Sequence, residues 1–339
     1  MEKRLFGAVG KKAVYAYTLS NGNVSAEILT YGGIIRSLTV KDKDGNDVDV
    51  VLGYNTIEEY IKNDGYLGAA IGRVCNRTEK GKFKIGDKEY SVGINDGENS
   101  LHGGAYGFNS KVFDAIPVGE TLILRYTSLD GEEGYPSTLF LSITYSITQE
   151  NGLKIEYEAH SLGDTVVNFT NHSYFNLDGE GKGDILHNKV YVNADKITPV
   201  DEKLIPHGEF KEVKGTAFDF NELKEFGKDI GADDEQLKIC GGYDINYVLS
   251  GEGFRKVACA VSEKTGIMME VLTTLPGMQL YSGNFLTERE GKSGKIGRRY
   301  GFCMETQNFP NAVNCPNYPS PVLKKGEKYY SATEYRFTK

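Results

Sequence analysis

The sequence predicts an all-β protein, a large antiparallel β-sandwich with a few short helices. Three observations predict it. Short segments that alternate apolar and polar residues recur along most of the chain, turn signals separate them at close intervals, and helical periodicity is nearly absent. The 339 residues suffice for two ordinary domains or one large all-β domain. No internal repeat and no linker rich in Pro, Gly or Ser divides them, so one domain over 1–339 is the simpler expectation.

Taken in order, strands are expected at 14–19, ended by the hairpin signal Asn21-Gly22, and at 24–29. Tyr31-Gly32-Gly33 breaks the run, and strands follow at 34–40 and 48–52 around a polar turn ending in Gly45-Asn46. A short helix is expected over 56–63, with Thr56 as its cap. The alternation then resumes in pairs flanking turn residues: 83–85 with 89–92, 112–117 with 122–128, 138–148 with 153–161, and 257–261 with 267–273. A second helical stretch falls near 221–228, and a strand at 329–337 closes the chain. Residues 93–110, 174–188 and 283–298 read as long polar or Gly-rich loops, which in compact domains often carry function.

Lys and Arg total 39 against 47 for Asp and Glu, a net charge of −8, which argues against nucleic acid or an anionic membrane as the main partner. No apolar run approaches the length of a membrane span, and the N-terminal residues lack the apolar core of a signal peptide. The five cysteines are odd in number and without metal-site or redox spacing, so they read as reduced thiols in a cytoplasmic protein. Asn23, Asn76, Asn168 and Asn171 begin glycosylation-type triplets, read here as chance matches. The string does not choose between monomer and homodimer.

Chemistry concentrates in a few blocks. In Gly301 to Pro310 a strand runs into a loop, and strand alternation puts Cys303, Glu305 and Gln307 on one face with Phe302, Met304 and Thr306 on the other. A charged strand residue ordinarily faces water. In a pocket, desolvation would raise the Glu305 pKa toward the range of a general base. Among the histidines, His160 shares a polar strand face with Lys154, Glu156 and Glu158, and His187 and His207 lie in polar loops, so all three read as surface residues. His102 sits in Asn99-Ser100-Leu101-His102-Gly103-Gly104, where glycines allow a close backbone approach to a ligand. His172 lies among the amides, hydroxyls and aromatics of Asn168 to Asn176, a mixture that suits sugar hydroxyls and C–H faces. Each could equally be a hydrogen-bonded turn histidine. Arg73, Asn76 and Arg77 stand on a Gly-led segment, where surface salt bridges are the ordinary fate of arginines. Asp244 opens an apolar run and reads as a site carboxylate or a turn residue. Gln279 interrupts an apolar strand, where an amide needs partners or a ligand. Phosphate-loop, dinucleotide, His-Glu-x-x-His and serine-elbow motifs are missing, the histidine spacing gives no support for a metal, and no cofactor is expected.

Six ordered blocks together, 72–77, 99–104, 168–177, 243–249, 276–286 and 301–320, resemble the aldose 1-epimerase (galactose mutarotase) family over nearly the whole chain. The resemblance implies the large mutarotase-type β-sandwich and interconversion of the α and β anomers of a free aldose. It implies Glu305 as the base on the C1 hydroxyl and His172 as the acid on the ring oxygen, with His102 near that oxygen. Asp244, Gln279, Asn76 and Arg77 fall on positions that bind sugar hydroxyls, and Tyr174 and Tyr281 are expected to give apolar contact. Acid–base ring opening of this kind needs neither metal nor nucleotide. Ile245, Asn109, Phe113 and Asn311 depart from residues common in the family and bear on sugar preference or loop packing. Three other readings use the same residues: a glycoside hydrolase with Glu305 and Asp244 as its carboxylate pair, a non-catalytic sugar-binding module, and an enzyme for phosphorylated hexoses drawing on Arg73 and Arg77.

Overall fold

The computed structural model describes residues 1–62 and 65–339. Three antiparallel sheets organise it. The N-terminal sheet is a meander of five strands, Glu2–Val9, Lys12–Ser20, Val24–Leu29, Ile35–Lys41 and Asp47–Asp49. The largest sheet has nine strands in the spatial order Asp114–Val118, Thr121–Ser128, Leu139–Ile147, Gly152–Ser161, Lys328–Thr338, Met268–Thr273, Arg255–Val261, Lys189–Val192 and Lys224–Glu225. The third, which carries the site, orders Lys211–Glu212, Lys196–Thr198, Asp244–Val248, Gly277–Tyr281 and Cys303–Gln307.

Alternation explains how the layers bury. In Leu139–Ile147, Leu139, Leu141, Ile143 and Tyr145 are buried while Phe140, Ser142 and Thr144 are only partly covered. The inward set meets Leu19, Ala26 and Ile28 of the N-terminal sheet in a cluster whose members run from Tyr17 to Phe337. The rear of the site sheet, with Ile245, Tyr247, Met278, Leu280 and Met304, joins the same cluster. Two polar ties fix that packing: the Tyr335 hydroxyl donates to the Met304 carbonyl at 2.9 Å, and the Thr306 and Thr333 hydroxyls lie 2.5 Å apart.

The expected strands are present, most within one or two residues of their predicted bounds, but the strand expected at 48–52 shortens to Asp47–Asp49. The edge strand Glu2–Val9 is largely exposed and reads from sequence as a charged terminus, so its alternation carries little signal. Lys189–Val192 and Lys196–Thr198 are too short to stand out. The first helix is Ile57–Ile61, with Thr56 and Glu59 forming a reciprocal capping box; position 63 of the expected range lies outside the described residues. Near 221–228 only Phe226–Asp229 is helical, because Lys224–Glu225 is drawn into the large sheet. One helix was not expected: Glu235–Cys240, capped by Asp234 and closed by Gly241 in the left-handed region. Its six residues are too few for a periodicity, although both caps stand in the sequence.

Candidate active site

Register builds the site. Across the three central strands of the site sheet, Asn246, Gln279 and Glu305 form one row, and Asp244, Tyr281 and Cys303 the next. Glu305 is 2% exposed and faces away from the core occupied by Met304, as alternation requires. Gly277 lets the strands close: a Cβ there would lie 2.6 Å from Asn246 Oδ1 and 2.8 Å from the Phe309 ring.

Two loops bring histidines over this face. The Thr170–Asn171 bridge to Ala70–Ile71, with hydrogen bonds from His172 N to the Ala69 carbonyl and from Gly68 N to the His172 carbonyl, fixes His172. Its Nε2 lies 3.6 Å from Glu305 Oε1, and Cys303 Sγ lies 3.5 Å from its Nδ1. His102 follows Ser100–Leu101, which pairs with Arg77–Thr78, and its ring centroid is 5.2 Å from that of His172. Both histidines are buried. A Cβ on Gly103 (φ +89°) would fall 2.0 Å from the Gly72 carbonyl oxygen, so the close approach is to the chain itself.

Burial sets the electrostatics. It pushes the Glu305 carboxyl well above its ordinary value, helped by the nearby Asp244 charge and opposed by Arg77. It pulls His172 down to about 4 and His102 well below its ordinary value. Asp244 is raised by burial against the pull of Arg77. Glu305 Oε2 is buried with no hydrogen-bond partner among the described residues.

The remaining predicted residues fall into place around this cluster. Asp244 Oδ1 accepts from Gln279 Nε2 at 2.6 Å, and Gln307 Nε2 donates to Gln279 Oε1 and to Asn246 Oδ1. Gln279 is therefore largely occupied in orienting its neighbours. Asn76 is buried, its Oδ1 accepts from the Arg77 amide, and Arg77 Nε donates to Asp96 at 2.7 Å. Tyr174 stacks on His172 with centroids 4.9 Å apart and meets Tyr281 edge-on. Tyr66 was missed by sequence reasoning. It packs edge-on against His102 at 4.7 Å and stacks on His172 at 5.9 Å. Its one signal is a tyrosine between the turn glycines Gly65 and Gly68.

Arg73 does not join the site. It is 1% exposed, and its guanidinium donates to the Pro136, Ser137 and Ser128 carbonyls and to the Ser128 and Thr165 hydroxyls. It clamps the chain rather than facing a phosphate or a surface partner. Three of the four departures lie in packing: Ile245 and Phe113 are core residues, and Asn311 bonds the Glu79 amide and the Pro206 carbonyl. Asn109 is buried. Of the glycosylation-type triplets, Asn76, Asn168 and Asn171 are buried. His160, His187 and His207 lie outside the cluster, His160 stacked on Phe140 and the others paired with Asp178 and Asp201.

Among the described residues, His102, His172 and Glu305 form the one group whose donor atoms could hold a metal, all within 4.8 Å of one another. The Asn76 amide donates to His102 Nδ1 at 3.2 Å, which leaves the ring proton of neutral His102 on Nε2 and no lone pair there for a metal. What the cluster holds is a carboxylate and an imidazole side by side, buried and bordered by amides.

The site is a buried carboxylate–imidazole pair on an antiparallel sheet, ringed by amides. Comparison with known proteins gives its class. The aldose 1-epimerase family matches residues 15–336, and the chain belongs to that family, which makes it an isomerase. It is 41% identical to galactose mutarotase of Sus scrofa over 332 residues, 97% of this chain and 95% of that protein. It is 34% identical to aldose 1-epimerase of Escherichia coli K12, covering 94% and 93%. Among solved structures, galactose 1-epimerase from Lactobacillus acidophilus superposes with a TM-score of 0.89 at 30% identity, covering 99% and 98%. The aldose epimerase homologue from C. elegans gives 0.88 at 27%, covering 95% and 98%. No helix among the described residues is long and apolar enough to cross a membrane, and all five cysteines are free and buried.

Proposed function

We propose that the chain interconverts the α and β anomers of free hexoses such as galactose and glucose, with Glu305 as base and His172 as acid, in a single domain spanning 1–339. The observation that carries this reading is the 3.6 Å pairing of His172 Nε2 with Glu305 Oε1 beneath an unpartnered Glu305 Oε2. Glu305 takes the proton of the C1 hydroxyl while His172 gives its Nε2 proton to the ring oxygen. The C1–ring-oxygen bond breaks, C1 becomes a carbonyl, rotation about C1–C2 presents its other face, and the steps reverse. Burial improves both partners, because it makes the carboxylate a stronger base and the imidazolium a stronger acid. The open-chain state thus coincides with the uncharged form of the pair. In this reading Asn76, Arg77, Asp244 and Gln279 take the sugar hydroxyls, and Tyr174 and Tyr281 pack against His172. The free thiols fit a reducing cytoplasm, the substrate is a monosaccharide, and no cofactor enters the proposed chemistry.

Anomer interconversion followed by polarimetry or proton NMR across a panel of aldoses tests this. Glu305→Gln and His172→Asn are each expected to lower turnover by roughly two to four orders of magnitude. Full activity in either variant refutes its assigned role. Reducing sugar released from a disaccharide would point instead to a hydrolase, and tight sugar binding without acceleration to a binding module.

A further inference from the structure

We infer that the two buried histidines have different protonic duties set by what faces their Nδ1 atoms. The Cys303 thiol beside His172 is a positioning residue that frees Nε2 to lose and regain a proton. The Asn76 peptide N–H holds His102 as a fixed hydrogen-bond donor. This rests on the acid–base reading above and extends it to residues that reading does not use.

The contact at His102 admits one protonation pattern. A peptide N–H only donates, so His102 Nδ1, 3.2 Å from the Asn76 nitrogen, is the acceptor and the ring proton sits on Nε2. A second proton on Nδ1 would set two N–H groups head to head, and loss of the Nε2 proton would leave an imidazolate. His102 therefore donates from Nε2 throughout and transfers nothing. The contact is fixed from both sides. The His102 amide donates back to the Asn76 carbonyl at 3.1 Å, and both residues sit in the left-handed region, at φ 52° and 57°.

His172 meets the opposite partner. Cys303 Sγ, 3.5 Å from Nδ1, offers lone pairs as well as a weak S–H donor. Burial, with the Glu305 and Asp244 charges, keeps the thiol protonated. In the imidazolium, Nδ1–H points at sulfur. When the Nε2 proton goes to the ring oxygen and the C1 hydroxyl proton goes to Glu305, the remaining ring proton stays on Nδ1 against the same sulfur. No charge develops on Cys303 and no bond to it forms. A weak acceptor orients the ring and steadies the imidazolium only slightly, whereas a carboxylate at the same place would hold the proton on His172. Cys303 is two residues before Glu305 on one strand, so the base and the partner of the acid are placed by one element.

The titratable groups around His172 are Glu305 and Cys303 on the site sheet, His102 and Tyr66 from the loops above, and Tyr174 and Tyr281 at its side. Asp244 and Arg77 act on Glu305.

The test measures anomer interconversion of galactose between pH 3 and 9 for Cys303→Ala and Cys303→Ser, with near-ultraviolet circular dichroism to check the fold. For Cys303→Ala, kcat is expected to fall about tenfold or more, within the range a general acid commands, with KM within about twofold. The acid limb of its pH profile should move down, because the imidazolium loses its Nδ1 acceptor. Cys303→Ser should restore most of kcat. An unchanged kcat and acid limb in a folded Cys303→Ala, with His172→Asn inactive, overturns the role of the thiol and leaves the acid–base reading standing. An active His172→Asn overturns that reading instead. Should Cys303→Ala fail to fold, nitrogen-15 NMR of the wild-type imidazoles decides, with His102→Gln and His172→Asn assigning the signals. His102 is expected as the Nε2–H tautomer at every pH from 5 to 9, and neutral His172 as Nδ1–H. A titrating His102, or His172 as Nε2–H, refutes the inference.

Discussion

Glu305 and His172 share one proton through the whole proposed cycle, and that count sets the pH dependence. Activity needs a base and an acid at once, so the pair must hold one proton, neither two nor none. His172 is pulled down to about 4, so a second proton joins the pair only near that pH, and below it no base remains. Glu305 is raised, so the last proton leaves only above its elevated value, where no acid remains. The expected kcat profile is a bell whose acid limb lies near pH 4 and whose alkaline limb lies well above the ordinary carboxylate range, measured by polarimetry with the uncatalysed rate subtracted at each pH. An acid limb near 6.5 would mean that His172 titrates as a solvated histidine and that the site is wet. At this scale the sequence was informative about type and side. Alternation placed Glu305, Cys303 and Gln307 on one face, and the amide-rich surroundings marked His172. What one residue meets across the fold was not legible. Arg73 looked like a surface or phosphate arginine because its carbonyl partners stand more than fifty residues away, at Ser128 and Pro136. Tyr66 reaches both histidines only because two loops meet.

Strands and their spacing carry the site at the next scale. Gln279 faces Asn246 on one side and Glu305 on the other, and Gly277 faces Val248 and Gln307. The gap at Gly277 is filled by Asn246 Oδ1 and the Phe309 ring, so a methyl group has nowhere to go. Gly277→Ala is therefore expected to push the Asn246 amide off Gln307 and to destabilise the fold by about 1–3 kcal/mol, the usual range for overpacking. Urea denaturation measures the loss, and it should come with a lower kcat, because Gln307 and Gln279 orient the row that includes Glu305. A fully stable, fully active variant would show that the strand rows do not position the base. Strands of six or more residues with clean alternation were legible. Glu2–Val9 was not, because an exposed edge imposes no apolar pattern, nor was Glu235–Cys240, whose caps bracket too few residues to show a period.

Across the whole molecule the site is a polar cluster built against the core that stabilises the fold. Cys303 and Tyr174 belong to one apolar cluster and Met304 to another, so Glu305, 2% exposed, stands against the packing that holds the sheets together. This placement trades stability for reactivity. Glu305 has a folded pKa raised above its unfolded value, so its contribution is fully present below the unfolded value and is lost as pH rises through the folded one. His172 has a depressed folded pKa, so the unfolded chain gains a proton that the folded chain refuses as pH falls from about 6.5 toward 4. Glu305→Gln keeps the shape and removes the first effect alone. The variant should match the wild type near pH 4.5 and exceed it increasingly at higher pH. The gain should be larger at pH 8 than at pH 6.5, because the unfolded chain releases a proton that the folded wild type keeps. The His172 contribution is nearly common to both proteins and cancels in the difference. Urea midpoints at pH 4.5, 6.5 and 8 measure it, and a variant equally or less stable than wild type at pH 8 would mean that the buried carboxylate is compensated by its surroundings rather than held at a cost.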